Sequence, residues 1–314
     1  MMSTMSTRIE PAGVLLIDKT AGPTSHDVVA AVRQLIHAHL VDEDQGTKRR
    51  HRAVKVGHAG TLDPFATGLL LLGIGSATRL LEYSHSWHKE YEAKITLGAT
   101  SDTDDGTGTI VAAPEPGAPT LADIESVLPQ FFGTITQQPP SYAAIKVKGK
   151  KLYEYARAGE KVAAPPRQIT IHEIAVLDYH YPVLSLRIRC EGGTYIRALA
   201  RDIGAALGTG GYCSWLRRTQ HGQHLVASAA LLADIAPTTL VDQLHPSDLL
   251  TVGMTQLMLT DTQVSDFGQG RQIHLTKPIT ETEHIAVLDP TGTLIGTGSY
   301  NAVTKIIAPN KVLL

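Results

Sequence analysis

A short segment with a single carboxylate carries the clearest chemical signal in this sequence. Residues 57–68 read Gly-His-Ala-Gly-Thr-Leu-Asp-Pro-Phe-Ala-Thr-Gly, and Asp63 is the acidic residue among them. The glycines around His58 and at the end of the segment allow a backbone that approaches a ligand closely. We expect this loop to display Asp63 and not to bury it. The pattern also fits a plain type I turn, in which Pro64 follows a capping aspartate.

The composition is that of an ordinary globular chain of 314 residues, with 43% apolar and 18% charged residues. This length predicts one large and one small domain. The apolar run Leu69–Leu72 ends at a glycine and is too short for a membrane span. We expect residues 1–12 to form a disordered tail, and we expect a cytoplasmic location.

The cysteines and histidines show no metal-binding pattern. Cys190 and Cys213 lie outside any Cys-x-x-Cys motif, and their apolar surroundings predict buried free thiols. The 14 histidines are scattered, and a pair such as His221/His224 lacks a third ligand. We therefore predict no disulfide, no metal site, and surface positions for the histidines.

The basic residues are clustered, although the formal net charge is only −2. A solvated surface explains any one cluster. Several clusters around one site predict a surface that follows a phosphate backbone. These clusters are Lys48–Arg52, Lys146–Lys151, Arg187 with Arg189, and Arg217 with Arg218.

Strand and helix patterns alternate irregularly along most of the chain. Leu69–Ile74 reads as a buried strand, and Lys89–Leu97 has the period of two of a half-buried strand. Helical patterns cover residues 24–37, 76–83, 120–130, 152–158 and 195–207. Because no regular βαβ repeat occurs, we predict an α+β fold on a mixed sheet. Beyond a boundary near His245–Pro246, short strands and Gly-rich turns predict a small β-rich module.

Several sequence blocks together resemble the TruB family of pseudouridine synthases. They occur in the family's order and span roughly residues 13–225. Three departures are visible. Ser101 stands where the family usually shows another residue, and Ala143–Ala144 stands where it more often carries Ser-Ala. The charged loop 42–52, of unknown role, is longer than in most relatives. The matching blocks are Gly57–Gly68, Lys89–Ala93, Leu97–Gly106, Gln138–Gly159, Gly193–Arg197 and Leu216–Thr219.

The resemblance implies a mixed-sheet pseudouridine synthase catalytic domain at 13–245, with a thumb insertion at about 140–166 and a PUA-like RNA-binding domain at 246–314. It implies a stand-alone isomerase that converts the T-loop uridine at position 55 of tRNA to pseudouridine. The C1′–N1 bond breaks, the uracil rotates, and C5 bonds to C1′, so no cofactor or metal is needed. The expected partner is the tRNA T-arm, bound by a monomer without guide RNA and without a membrane.

The resemblance also implies roles for particular side chains. Asp63 is the expected nucleophile, acting at C1′, at C6 or through a glycal, and Arg197 is its expected ion-pair partner. Tyr91 is expected to stack on the uracil and to take part in proton transfer. His58 is expected to fill the space left by the flipped base, because a uridine inside a folded loop must be flipped out to react. The other expected RNA-binding residues are Tyr195 and Leu216 at the pocket, with Lys146, Lys148, Lys150 and Lys151 on the thumb.

Other interpretations remain open for single residues and for the whole chain. Arg197 also fits a surface arginine, and Tyr91 and Leu216 also fit packing positions. A guide-RNA-dependent pseudouridine synthase would share the chemistry, but the lysine-rich segment Gln138–Gly159 favours the stand-alone type. A tRNA-folding chaperone role can coexist with catalysis. A glycosidase would need paired carboxylates, and no second carboxylate lies in a matched motif near Asp63.

Overall fold

The computed structural model describes residues 11–43, 54–114, 117–143, 145–147, 149–158, 160, 162, 164–277, 279 and 282–314. The expected N-terminal tail lies almost wholly outside the described residues. Most of the charged loop 42–52 also lies outside them, as does Lys148.

Strands and helices alternate along the described residues. The helices are α1 Ser25–Glu43, α2 Leu121–Val127, α3 Leu152–Arg157, α4 Ile196–Ala206 and α5 Asp261–Gly268. The strands are β1 Gly13–Lys19, β2 Val56–Ala59, β3 Thr67–Ile74, β4 Lys89–Leu97, β5 Ala99–Ser101, β6 Ile110–Ala112, β7 Gly133–Gln137, β8 Lys146–Val147, β9 Lys150–Lys151, β10 Arg167–His180, β11 Val183–Cys190, β12 Gly211–His221, β13 His224–Leu225, β14 Ala230–Leu231, β15 Thr255–Met258, β16 Ile273–His274, β17 Thr282–Leu288, β18 Leu294–Asn301 and β19 Ile306–Val312.

A large mixed sheet forms the centre of the molecule. Its strand order is β14-β1-β3-β12-β4-β11-β10-β7, with β2 paired to β3 and β13 paired to β12. The pairs β1–β14 and β3–β12 are parallel, and the other pairs of this sheet are antiparallel. The predicted α+β fold on a mixed sheet is confirmed. The central strands β12 and β4 lie next to each other, so side chains from both can reach one site.

Helices cover one face of this sheet. Apolar side chains of α1 and α4, such as Val32 and Leu199, are buried together with Leu70, Ala93 and Leu186 of the sheet. The other face carries a second apolar cluster, in which the 3₁₀ helix Gly75–Ser84 contributes its buried side chains. Burial on both faces explains why β3 is apolar at nearly every position.

A five-stranded sheet, in the order β15-β17-β18-β19-β16, follows toward the C-terminus. It has its own apolar cluster, centred on residues such as Phe267, Ile285 and Ile307. The β-rich C-terminal module predicted from the sequence is confirmed as an element of the fold. It contacts the 3₁₀ helix through a 2.8 Å hydrogen bond between the hydroxyls of Tyr83 and Thr297.

The thumb segment contains regular secondary structure. The two-residue strands β8 and β9 form a hairpin, and α3 follows it directly. Ala143, Leu152 and Ala164 are buried together in a small apolar cluster of this segment. The segment therefore has its own packing.

Three local predictions need correction. Helix α1 continues to Glu43 and does not end near His37. Residues 76–83 form a 3₁₀ helix. The predicted surface position is wrong for His221 and His224, which are buried. These two side chains lie against the indole of Trp87, so apolar contact and burial replace solvation.

The buried free thiols of Cys190 and Cys213 are confirmed. Each cysteine lies in a central strand of the main sheet, β11 or β12. Within the described part of the chain, no helix combines the length and the apolar character that a membrane crossing requires.

Candidate active site

The loop that carries Asp63 is fixed by backbone hydrogen bonds on both sides of the carboxylate. The Ser25 hydroxyl donates to the Leu62 carbonyl at 3.0 Å and accepts from the Leu62 N–H at 2.8 Å. On the other side, the Pro64 carbonyl accepts from Gly22 N at 2.8 Å and from Lys19 Nζ at 3.3 Å. Asp63 therefore extends from a held backbone, as a preorganised catalytic group requires.

Glycine at position 68 is required by the close approach of two strands. Its φ is +102°, and a Cβ there would lie 2.3 Å from the carbonyl oxygen of Arg218. This contact comes from the parallel pairing of β3 with β12. The glycine thus brings the end of the Asp63 loop against β12.

The carboxylate of Asp63 is paired with the guanidinium of Arg197. Arg197 Nε lies 2.9 Å from Asp63 Oδ2, and one terminal nitrogen donates to Oδ1 at 3.3 Å. The arginine side chain is 5% exposed, whereas the aspartate side chain is 34% exposed. The carboxylate is therefore partly open to a ligand, while its partner is buried behind it.

A second carboxylate, Asp105, holds Arg197 from the opposite side. Asp105 Oδ2 lies 3.2 Å from a terminal nitrogen of Arg197. Its other oxygen accepts from Thr103 Oγ1 at 2.8 Å and from the amide and hydroxyl of Thr107 at 2.9 and 2.6 Å. The prediction that no second carboxylate in a matched motif lies near Asp63 is therefore wrong.

Asp105 does not supply the free acid of a glycosidase, because it is only 6% exposed and is not among the residues that line the cavity described below. Its place in the block 97–106, which the resemblance includes, was the available signal for its importance. Sequence spacing could not show that this block faces the same arginine as Asp63. The loop 102–109 between β5 and β6 makes that connection.

Burial and charge act against each other on Asp63. Burial raises the pKa of the Asp63 carboxyl above its ordinary value, and the neighbouring Arg197 guanidinium opposes that rise. The negative charge of Asp105 adds to the rise in pKa. An ionised Asp63 therefore depends directly on the position of Arg197.

A cavity of about 240 Å³ opens above this ion pair. It is smaller than the ~300–1,000 Å³ typical of drug-sized ligands, so it suits one nucleobase. The structure brings five of the predicted site residues together in its lining, which includes Asp63, Tyr91, Tyr195, Arg197 and Leu216.

The aromatic residues of the cavity are placed by regular structure. Tyr91 lies on the inward face of β4, is 7% exposed, and burial raises the pKa of its hydroxyl. Tyr195 is the residue that precedes α4, and the Arg167 guanidinium lies 5.6 Å from its ring centre. That distance permits a cation–π contact, which holds the Tyr195 ring.

Two basic residues of the lining were not predicted as site residues. Lys89 is 6% exposed and Arg218 is 1% exposed, and both line the cavity. The prediction that Arg218 follows a phosphate backbone at the surface is therefore wrong. Adjacent strand residues point to opposite faces, and so Arg217 instead pairs with Asp18 at 2.7 Å.

Two other predicted RNA-binding residues, His58 and Lys150, lie outside the described lining of the cavity. His58 is on β2, half-buried, and burial together with Arg218 lowers the pKa of its imidazole. Lys146 belongs to β8, and Lys150 and Lys151 form β9 on the thumb. The Lys150 ammonium lies 5.6 Å from the ring centre of Tyr155.

The fold places one ion-paired carboxylate in the lining of a cavity of about 240 Å³. Residues 48–196 match the family model described as "TruB family pseudouridylate synthase (N terminal domain)". The chain is 41% identical to "tRNA pseudouridine synthase B" of Leifsonia xyli, over 91% of each chain. It is 37% identical to the protein of the same name from Arthrobacter, over 95% of this chain and 97% of the relative. The chain belongs to the TruB family of pseudouridine synthases.

A chain in a solved structure has the same fold as this protein. The "Structure of H/ACA RNP bound to a substrate RNA containing 2'-deoxyuridine" contains a chain with a TM-score of 0.69 to this one. The two chains are 22% identical, and the match covers 96% of this chain and 85% of the other. The pseudouridine synthase fold predicted from the sequence is confirmed.

Proposed function

We propose that this protein converts the T-loop uridine at position 55 of tRNA to pseudouridine as a stand-alone monomeric enzyme. The relatives that match over most of their length share the name "tRNA pseudouridine synthase B". The observation that carries the proposal is the partly exposed Asp63 carboxylate, ion-paired to buried Arg197 at the floor of a nucleobase-sized cavity. The reaction is an isomerisation, and these side chains provide the groups that it needs.

In this proposal Asp63 is the nucleophile or the group that promotes elimination. Attack at C1′, attack at C6 and a glycal route all require the ionised carboxylate. Arg197 keeps that form in place, because its charge opposes the effect of burial on the pKa of Asp63. The guanidinium is itself held in position, since it is also bound by Asp105 and by the carbonyls of Thr103 and Tyr142.

Tyr91, Tyr195 and Leu216 then hold the uracil after it has left the T-loop stack. Base flipping costs a few kcal/mol, which contacts inside the cavity have to offset. Aromatic rings offset this cost by stacking, and Leu216 supplies an apolar wall. Burial raises the pKa of the Tyr91 hydroxyl above its ordinary value, so Tyr91 enters the reaction as a proton donor to the base. His58, outside the cavity, occupies the place left by the flipped base.

The RNA itself is held by two further parts of the chain. The thumb at about 140–166 contacts T-arm phosphates with Lys146, Lys148, Lys150 and Lys151. Residues 246–314 form a PUA-like domain that contacts the acceptor end of the tRNA. This domain holds four Lys and Arg residues against six Asp and Glu residues, so its contribution to phosphate binding is smaller than that of the thumb.

One assay tests this function. The purified protein is incubated with an unmodified tRNA transcript and no guide RNA, and pseudouridine is mapped by a chemical adduct that stops primer extension. Formation of pseudouridine at the T-loop uridine is the expected result. If the product appears only when a guide RNA and partner proteins are added, the guide-dependent alternative replaces the stand-alone one. If tRNA is refolded but never modified, the chaperone alternative replaces both.

A further inference from the structure

Two buried cations in the cavity wall lack an acidic partner among the described residues. Lys89 Nζ donates to the carbonyls of His85 and Trp87 at 3.1 and 2.9 Å. Arg218 donates through Nε to the Leu69 carbonyl at 2.6 Å, and through a terminal nitrogen to the Gly60 carbonyl at 3.2 Å. Neutral carbonyls satisfy the N–H groups of these side chains, but they do not cancel the charge.

The main sheet sets both cations beside the reactive groups. Lys89 and Tyr91 are two residues apart on β4, so their side chains share its inward face. Arg218 lies directly opposite Tyr91 across the β12–β4 pair, and its side chain interacts with the tyrosine hydroxyl. Both cations line the cavity that contains Asp63.

The neighbouring titratable groups leave this positive charge uncompensated. Burial lowers the pKa of His221 to about 2, so the imidazole is neutral, and burial also lowers the pKa of the nearby His88. Burial raises the pKa of Cys190, which lies opposite Lys89 on β11, to about 12. Asp63 is already engaged by Arg197.

Burying a charge without a counter-charge destabilises a fold. Burial also lowers the pKa of Lys89 to about 8, with the Arg218 charge as a further cause. Such a cost inside a cavity indicates that an anionic partner arrives with the substrate.

We propose that Lys89 and Arg218 form a cationic wall that stabilises the uracil anion released when the C1′–N1 bond breaks. This inference rests on the proposed function. The bonding pair of C1′–N1 leaves with the base and spreads over N1, O2 and O4. On the sugar, Asp63 bonds to C1′, or the C2′ proton leaves to give the glycal. The base then rotates, and C5 uses an electron pair to bond to C1′ as the Asp63–C1′ bond breaks or C2′ regains its proton. The C5 proton leaves, and N1 gains a proton. Charge is restored without an oxidant or reductant, and the cations act only while the base is detached.

The test uses three full-length variants in single-turnover assays on an unmodified tRNA transcript. Lys89→Met keeps the length of the side chain and removes its charge. Lys89→Arg keeps a charge that does not titrate in the working range. Lys94→Met is the matched control, because Lys94 lies on the outward face of the same strand.

We expect Lys89→Met to lower the single-turnover rate about 100-fold, as removal of one preorganised electrostatic group does elsewhere. The tRNA affinity should stay close to that of the Lys94→Met control, and the melting temperature should not fall below it, because the variant removes an unpaired buried charge. A transcript with 5-fluorouridine at the target position gives a readout that a structural role would not move. Fluorine stabilises the detached base anion, so the defect of Lys89→Met in glycosidic cleavage should shrink several-fold on that substrate.

The pH dependence gives a second readout. The charged form of Lys89 is present below its pKa of about 8, so the wild-type rate should fall as the pH rises through that value. Lys89→Arg should move this fall to higher pH. An unchanged rate in Lys89→Met, or an equal defect on uridine and 5-fluorouridine, overturns the proposal. If wild type itself forms no pseudouridine in the parallel reaction, the proposed function fails instead.

Discussion

Arg197 Nε lies 2.9 Å from the carboxylate of Asp63, although the two residues are 134 positions apart in the chain. Helix α4 supplies the arginine, and the loop between β2 and β3 supplies the aspartate. Their meeting point is the floor of the cavity. This pair decides whether the carboxylate is ionised.

Arg197→Lys should slow the reaction without weakening tRNA binding. Lysine keeps the charge but loses the planar guanidinium that contacts two carboxylates and two carbonyls. We expect a loss of about 1.5–3 kcal/mol, or roughly 10- to 100-fold in the single-turnover rate. Arg201→Lys, on the same helix but paired with Asp104, is the control. Equal rates for Arg197→Lys and wild type would separate Arg197 from catalysis.

Asp105→Asn should both slow the reaction and change its pH dependence. Asp105 orients Arg197, and a misplaced reacting group costs about tenfold or more in rate. Its negative charge also raises the pKa of Asp63, so its removal should lower that pKa. Because Asp63 must be ionised, the acid limb of the rate profile should move to lower pH. In Asp104→Asn that limb should stay in place, because Asp104 pairs with Arg201 and not with Arg197. Asparagine also tolerates the φ of 59° at this position, so the fold should be kept.

The thumb lysines should determine the salt dependence of binding. Replacing Lys146, Lys148, Lys150 and Lys151 by alanine should flatten the plot of log affinity against log salt by roughly 0.7–0.9 for each phosphate that is no longer neutralised. The fold should survive, because the apolar cluster of the thumb is formed by other residues. Binding measured at several salt concentrations checks this, with Lys94→Ala as control. An unaltered slope would show that RNA is held elsewhere.

The C-terminal domain should contribute to binding of whole tRNA but not of an isolated T-arm hairpin. Lys277 and Lys305 are exposed cations of this domain without an ion pair in the described structure. Their double replacement by alanine should weaken full-length tRNA binding by less than about tenfold, because each of the two lysines neutralises at most one phosphate. Hairpin binding should be unchanged. An equal loss of affinity for both RNAs would contradict the assignment of this domain to the acceptor end.

Much of the fold and the centre of the site followed from local sequence patterns. The alternation in Lys89–Leu97 predicted a half-buried strand, and β4 has these bounds. The Gly-bracketed segment predicted a loop that displays Asp63, and its carboxylate is partly open. In both cases the local structure depends on residues that are close together in the sequence, so a short segment was enough to predict it.

The remaining features depend on contacts that the chain makes at long range. Arg217 and Arg218 look alike in the sequence, but they lie on opposite faces of β12. Arg217 pairs with Asp18 of β1, whereas Arg218 lies in the cavity wall. Recognising β12 as a central strand would have separated them, because strand side chains alternate. Asp105 has no local sign of its contact with Arg197, because that contact joins the loop between β5 and β6 to helix α4. Burial of His221 likewise depends on Trp87 from another part of the chain.

The single-turnover rate of Asp63→Asn on an unmodified tRNA transcript tests the central claim most directly. Asparagine keeps the size of the side chain and removes its charge and nucleophilicity. We expect no detectable pseudouridine, with tRNA affinity near that of wild type, because phosphate contacts dominate binding. Wild-type protein in the parallel reaction should convert the T-loop uridine. A rate for Asp63→Asn within about tenfold of wild type would contradict the assignment of Asp63 as the reacting carboxylate.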